Sequence, residues 1–470
     1  MLPTTAHLLP IAETLLGIVG AENLLTDPAD CWPYGYDNSR RHWPPDLVAF
    51  PTTHEQVRDI ARACNIARLP IVPRGRGSGT TGATVPVTGG LVLSFERMNR
   101  ILAIDTGNRL MIVEPGVTNQ EVQDAAAQHG FFWPPDPTSA AWCTIGGNLA
   151  YNSAGPRAVK YGTPRENVLG MRVVTGAGEE LRTGVRTTKG VVGYDLTRLI
   201  IGSEGTLAII TEATLKLTPL PQTKRTLRAI YSDIDAAALA ITRIMAQPVV
   251  PYSLEFIDGK AIDMIRDYST VTLPAHAGAL LMIEVDGMEA AMDSATECIR
   301  AAATVNGLLE FSMARTAEEV TALWATRKAL SPALRNIAPK KINEDVVVPV
   351  AEIPRLITGL NELAERFGVT IVNFGHAGNG NIHVNLLVNP DDRDQMVRAE
   401  QCLSAVFDLV LSLHGTLSGE HGIGLEKRNF IGRELEPAAL ALMQRIKNQF
   451  DPNGILNPGK LFPDPTTAQP

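Results

Sequence analysis

Apolar and polar positions run along this chain on two periods. Leu8 to Leu25 repeats apolar residues at helical spacing and predicts an amphipathic helix stopping near Thr26-Asp27-Pro28. A proline-rich passage follows, with Trp43-Pro44-Pro45. Val48-Ala49-Phe50 then reads as a strand, and Thr53 to Ala67 as a helix capped by Thr53, with His54-Glu55-Gln56 in its first turn. Leu69 to Val72 reads as a second strand, and from there to about residue 220 short strands are broken by glycine. Pro219-Leu220-Pro221 marks a change of texture. Longer helical patterns follow at Asp233–Ala246, Met288–Asn306, Ala317–Asn336 and around Pro437–Phe450, with strands such as Ala279–Val285 between them. The last helix stops at Asp451-Pro452-Asn453-Gly454, and the tail after Pro463 reads as frayed. The texture predicts an α+β protein with a boundary near residue 220.

Composition narrows the function. A length of 470 residues calls for two or more cores. A net charge of −8 disfavours a nucleic-acid role, which needs a basic face, but leaves room for a local cationic pocket. The five cysteines (Cys31, Cys64, Cys143, Cys298, Cys402) are scattered without a CxxC pair. That argues against a disulfide framework, a thiolate zinc site or an iron–sulfur cluster. Glu13 and Glu22 interrupt the first apolar stretch and no cationic region precedes it, so it is not read as a signal peptide. No run of about 18 apolar residues predicts a membrane span, and the expected location is cytoplasmic.

Gly77-Ser78-Gly79-Thr80-Thr81-Gly82 matches GxGxxG after an apolar strand, with Glu96 at a suitable distance for a ribose contact. A dinucleotide fingerprint must open a helix. Here Ala83-Thr84-Val85-Pro86-Val87-Thr88-Gly89-Gly90 follows and then the strand Leu91–Phe95, so that reading fails. No Lys-Ser or Lys-Thr completes a Walker loop either. What remains is a glycine loop whose bare N–H groups suit a phosphate; the plainer reading is a flexible turn. Two more glycine-dense segments share the stretch: Cys143-Thr144-Ile145-Gly146-Gly147-Asn148 with Asn152-Ser153-Ala154-Gly155, and Gly202-Ser203-Glu204-Gly205-Thr206-Leu207. Three such segments suggest backbone packed against one large flat ligand.

In the C-terminal half, Ile382, Val384 and Leu386 alternate with His383 and Asn385. One straight strand from 376 to 383 sends His376 and His383 to opposite faces; Gly378-Asn379-Gly380 breaks that register and lets them converge. Glu420-His421 sits in a distant glycine-bounded loop. Two imidazoles and a carboxylate suit zinc, manganese or iron(II), and a hydrogen-bonded histidine pair is the plainer alternative. The other six histidines, among them His7 and His54, read as surface or packing residues. Arg327 lies on a predicted helix, and on its own reads as a solvated face.

These segments carry a resemblance. Ile71-Val72-Pro73-Arg74-Gly75-Arg76-Gly77-Ser78-Gly79, Pro137-Thr138-Ser139, Thr144–Asn148 and Gly202–Leu207 resemble the flavoprotein family of vanillyl-alcohol oxidase and p-cresol methylhydroxylase. Phe374–Asn385, Ser418-Gly419-Glu420-His421-Gly422-Ile423-Gly424 and Asp451–Lys460 resemble its D-lactate, glycolate and D-2-hydroxyglutarate dehydrogenase branch. The resemblance implies a PCMH-type FAD-binding domain over 1–220 (core about 45–220), an antiparallel-sheet α+β cap over 221–450, and a segment 451–470 returning to the first domain. It implies FAD contacts from Arg74, Gly75, Arg76, Gly77, Ser78, Gly79, Thr80, Gly82, Pro137, Ser139, Thr144, Gly146, Gly147, Asn152, Glu204, Ile210 and Asn457. Some members attach FAD through a histidine in the first loop; here Arg76 and Ser78 stand there, so non-covalent FAD is expected. Cys143 is read as a packing residue.

The resemblance further implies a divalent metal, zinc first with manganese or iron as alternatives, on His376, His383 and Glu420. His421 is the implied base and Arg327 the substrate-carboxylate clamp; Lys340, Lys341 and Asn343 are read as preceding the strand Asp345–Pro349, and Lys341 (with Lys340 as the alternative) and Asn343 are taken as the other substrate contacts. The expected reaction takes a small anionic D-2-hydroxy acid to its 2-keto acid with hydride passing to flavin N5. Quinone, cytochrome, a flavoprotein or a partner subunit are candidate acceptors, and a homodimer is one assembly the sequence admits. The rivals are an alcohol or sugar oxidase on the same fold and a flavin-binding subunit of a larger dehydrogenase.

Overall fold

A computed structural model describes residues 8–266 and 273–463; His7 and the tail after Pro463 lie outside the described residues. The chain forms two compact units. The first is Met1–Gly155, Gly162–Leu220 and Glu420–Pro470; the second is Pro156–Tyr161 and Pro221–Gly419. The chain therefore re-enters the first unit at Glu420, ahead of the expected residue 451.

In the first unit a four-stranded sheet has the order Leu24–Leu25, Leu47–Ala49, Leu91–Ser94, Ile71–Arg74. The last three strands are mutually parallel and almost wholly buried, as parallel strands covered on both faces are. Helix His54–Ala67 buries Val57, Ile60, Ala61 and Cys64, and is capped by Thr53, whose hydroxyl accepts the Gln56 N–H. The first helix is shorter than expected. It runs Leu9–Val19 and stops at Gly20, whose φ of +85° breaks helical geometry; a 3-10 turn and strand Leu24–Leu25 take up the rest. A second, five-stranded antiparallel sheet joins Ile101–Asp105, Leu110–Val113, Ala208–Lys216, Val168–Thr175 and Glu180–Gly184 in that order. The final segment docks beside the first sheet. Ile71 donates to the Ile455 carbonyl at 2.7 Å, and Asn457 donates to the Ile71 carbonyl at 2.8 Å.

The second unit is built on seven antiparallel strands: Leu308–Met313, Thr223–Tyr231, Ala279–Gly287, Ser253–Asp258, Thr370–His376, Asn381–Val388 and Lys340–Val347, in sheet order. Helix Ala317–Ile337 covers one face. It packs Leu323, Leu330 and Leu334 into a core with Ile257, Met282, Val372 and Phe374. The helix expected from Met288 begins only at Met292, after a 3-10 turn, and ends at Ala303. Lys341 and Asn343 do not precede a strand; they lie within the strand Lys340–Val347, which runs through the polar stretch. Among the described residues no helix is long and apolar enough to cross a membrane.

Candidate active site

The first unit carries an open cavity of about 610 Å³, a figure that includes solvent at its mouth. Of the expected FAD contacts, Arg74, Gly75, Thr144, Gly146, Gly147, Glu204, Ile210 and Asn457 line it. Arg76, Gly77, Ser78, Gly79, Thr80, Gly82, Pro137, Ser139 and Asn152 are not among the lining residues. The three glycine segments meet here because their glycines let backbone approach closely. A Cβ on Gly75 meets the Thr144 hydroxyl at 2.4 Å, and one on Gly146 meets Pro115 at 2.7 Å. Beside Gly147 only the Thr144 hydroxyl comes near, at 3.4 Å, so that backbone faces open space. Such a cradle fits a large cofactor pressed against main chain.

Several expected contacts have structural duties. Arg74 turns its buried guanidinium onto the Tyr36 carbonyl (2.6 Å), near the Tyr34 and Tyr36 rings. Glu204, in a left-handed conformation (φ +53°), accepts the N–H groups of Ile423 (2.6 Å) and Gly424 (2.7 Å). Burial pushes its carboxyl up to about 7, against the pull of those two N–H groups and of Lys460 and Lys427. Asn457 donates to the carbonyls of Ala83 (2.8 Å) and Glu204 (2.7 Å), joining the last segment to the cavity wall. Cys143 is buried with its sulfur 3.7 Å from the Asn148 side-chain oxygen, and burial raises its thiol, as a packing residue requires. Tyr151, Phe95 and Ala83 also line the cavity. The sequence offered no motif for them; their place depends on which loops meet.

In the second unit, strand Thr370–His376 ends in a 3-10 turn over Ala377–Asn379, and Gly380 (φ +73°) opens the return strand. A Cβ on Gly380 lies 1.8 Å from the Val348 carbonyl, so the turn needs glycine there. The turn resets the register as expected. Phe374 pairs with His383 and His376 with Asn381, and the His376 and His383 rings meet edge to face at 5.3 Å between centroids. Both are buried. His376 Nδ1 lies 2.5 Å from Glu255 Oε1, and Arg327 Nε donates to Glu255 Oε2 at 2.9 Å. Burial pushes the Glu255 carboxyl up, and His376 and Arg327 more than reverse this, leaving it below the usual carboxylate range. Arg327 is thus no solvated face: it is 7% exposed and stacks 4.7 Å from the Phe374 ring. Glu255 went unread in the sequence, although a glutamate inside the wholly buried strand Ser253–Asp258 was the available signal.

Asn343 donates to the Asn385 side chain at 2.9 Å, and by strand register Lys341, Asn343 and Asp345 share the face of His383. Asp345 accepts the Gly419 N–H with its carbonyl (2.8 Å) and carboxylate (2.9 Å). The next residue, Glu420, opens the returning segment of the first unit. There its carboxylate accepts the Gly155 N–H (2.9 Å), and the His421 carbonyl accepts the Thr81 hydroxyl (3.2 Å).

A glycine-lined cavity in one α+β unit, and a buried imidazole pair on the antiparallel sheet of another, are the marks of a chain built to hold a large cofactor against main chain. The chain belongs to the FAD-linked oxidase family: residues 45–184 match its FAD binding domain, and residues 220–461 match the C-terminal domain of FAD linked oxidases. It is 41% identical to glycolate oxidase subunit GlcD of Bacillus subtilis, over 96% of each chain. It is 35% identical to the mitochondrial D-lactate dehydrogenase [cytochrome] of Arabidopsis thaliana, over 94% of this chain and 78% of that one. With the D-2-hydroxyglutarate dehydrogenase of Stutzerimonas stutzeri the identity is 32%, over 96% and 98%. The solved structure of p-cresol methylhydroxylase shares the fold, with a TM-score of 0.79 at 18% identity over 99% of each chain. The protein is an FAD-dependent oxidoreductase.

Proposed function

We propose that this protein oxidises a small D-2-hydroxy acid, of the D-lactate, glycolate or D-2-hydroxyglutarate type, to the 2-keto acid, using non-covalent FAD and a divalent cation, zinc first. The observation that carries the reading is the pair of buried imidazoles on one sheet face, with His376 tied to Glu255 and Arg327 in the same cluster. Two neutral imidazoles are a donor set for zinc, manganese or iron(II). Glu420 is the proposed third ligand. The preceding residue, Gly419, is bonded to Asp345, the strand partner of His383, so the chain departs from the His383 row at residue 420.

When bound, FAD supplies the hydride acceptor at N5, and the cation supplies Lewis-acid polarisation of the substrate hydroxyl. Arg327 gives Nε to Glu255, and its terminal amino groups hold the substrate carboxylate. Lys341 and Asn343 extend the polar surface on the same strand face. His421, next to the third ligand, takes the hydroxyl proton at its ring nitrogen. FAD stays non-covalent because the first glycine loop has no histidine and the Cys143 thiol is buried and engaged.

The kinship with a protein named as a subunit supports a partner subunit for this chain, and the kinship with D-lactate dehydrogenase [cytochrome] supports a cytochrome as electron acceptor. Five free cysteines suit a reducing, cytoplasmic setting. The test is reduction of an artificial dye by purified protein with D- and L-2-hydroxy acids, with and without chelator. Reduction by D-acids that chelator abolishes is expected. L-acids as fast as their D-isomers overturn the substrate assignment.

A further inference from the structure

Glu255 is 1% exposed, in a strand whose six residues are all buried, and its two oxygens serve different partners: Oε1 faces His376 Nδ1 at 2.5 Å, and Oε2 accepts Arg327 Nε at 2.9 Å. The Arg327 guanidinium is always charged, so Glu255 is its buried carboxylate counter-ion, and a carboxylate only accepts hydrogen bonds; the proton between Glu255 and His376 therefore sits on Nδ1, leaving the ring's lone pair on Nε2. Arg327 is itself fixed, its guanidinium lying 4.7 Å from the Phe374 ring, and Phe374 is the strand partner of His383. One compact set of side chains within a single unit therefore runs from Phe374 through Arg327 and Glu255 to the imidazole.

We propose that Glu255 is the positioning residue of the metal site: it holds His376 in the Nδ1–H tautomer with Nε2 as the ligand atom, and Arg327 holds Glu255 in place. This rests on the reading of His376 as a ligand. A carboxylate behind a ligating imidazole fixes ring orientation and raises ligand basicity, and its loss commonly costs metal affinity. It also gives Arg327 a second duty on its Nε side, separate from any grip on substrate.

Glu255→Gln tests the idea because the shape is kept and the hydrogen-bond polarity is not. The Gln oxygen accepts from Arg327, its NH₂ turns to His376, and Nδ1 must then accept, moving the proton to Nε2. Zinc affinity, read by competition with a chromophoric chelator on the folded protein, should fall about 10–100-fold with FAD content kept, and the melting temperature should fall as well, because Arg327 loses its buried counter-charge. Glu255→Asp, which keeps the charge on a shorter stem, should recover part of the loss. Should Glu255→Gln fail to fold, the wild type still answers. In zinc-free protein with ¹⁵N-labelled histidine, the His376 ring, assigned by its absence in His376→Gln, should carry its proton on Nδ1. An Nε2–H ring, or a Glu255→Gln protein binding zinc as tightly as wild type, overturns the inference while leaving the metal reading intact. A wild type that takes up no zinc but shows the Nδ1–H ring supports Glu255 as the orienter and overturns the metal reading instead.

Discussion

Arg327 is the residue on which two demands meet: one side of the guanidinium is held by Glu255 and the rest is assigned to substrate. Lysine cannot satisfy both, because one ammonium replaces a planar fork with a point charge. Arg327→Lys should cut kcat/KM by about 2–4 kcal/mol of transition-state binding, the scale for a desolvated charge pair altered on one side. Metal content separates the two duties. A rise in KM with zinc retained marks the carboxylate grip, whereas zinc loss beside a fall in kcat marks action through Glu255. Unchanged kinetics with every accepted acid refutes both. The neighbouring assignments separate in the same way. His383→Ala should lose metal and turnover together. His421→Asn should keep flavin and metal but slow flavin reduction about 10²–10⁴-fold, the usual worth of a general base. Elemental mass spectrometry beside single-turnover flavin bleaching reads both, and a fast His421→Asn removes the base assignment.

At the scale of elements, the loop Glu420–Gly424 is held by the buried carboxyl group of Glu204, which belongs to another glycine segment. Glu204 sits at about 7 rather than its ordinary 4.5, so its protonated form is the one the fold favours. The sign follows: this contribution to stability is fully present below about pH 4.5 and is lost as pH rises through 7. The loss amounts to roughly 3 kcal/mol for a shift of that size. FAD-free protein should therefore melt lower at pH 7.5 than at pH 5, and Glu204→Gln, which cannot ionise, should flatten that slope when melting is followed across the range. The same loop shows what the sequence could and could not reveal. The glycine segments were legible as backbone that must approach something closely. That Glu204 grips Ile423 and Gly424 was not, because it depends on a pairing across more than two hundred residues. The His376–His383 turn was legible because a glycine break in an alternating strand has one consequence for register. Glu255 was missed because its partners come from a helix and a strand far along the chain. The first helix is shorter than its pattern predicts, and Lys341 and Asn343 lie inside a strand, because local propensity yields there to sheet pairing.

At the scale of the molecule, the cavity assigned to FAD lies in the first unit, and the imidazole pair proposed for the metal lies in the second, while the proposed third ligand, Glu420, belongs to the first. The cavity that fits FAD is lined wholly by residues of the first, and the imidazole pair with Glu255 and Arg327 belongs wholly to the second. Each unit has its own buried core, so emptying one site leaves the packing that holds the other. Two losses should therefore be separable. Dialysis against a strong chelator should remove the metal and the D-hydroxy-acid-dependent bleaching while the protein stays yellow, and added zinc should restore the bleaching. Acid precipitation should send the flavin into the supernatant, since neither a histidine in the first loop nor the engaged Cys143 offers an attachment point. The readouts are the flavin spectrum, the metal content and the rate of anaerobic bleaching on one preparation. Flavin retained in the acid pellet overturns the non-covalent assignment; full bleaching in a chelated, metal-free sample overturns the metal's part in the reaction and leaves Arg327 and His421 to act on the hydroxy acid alone.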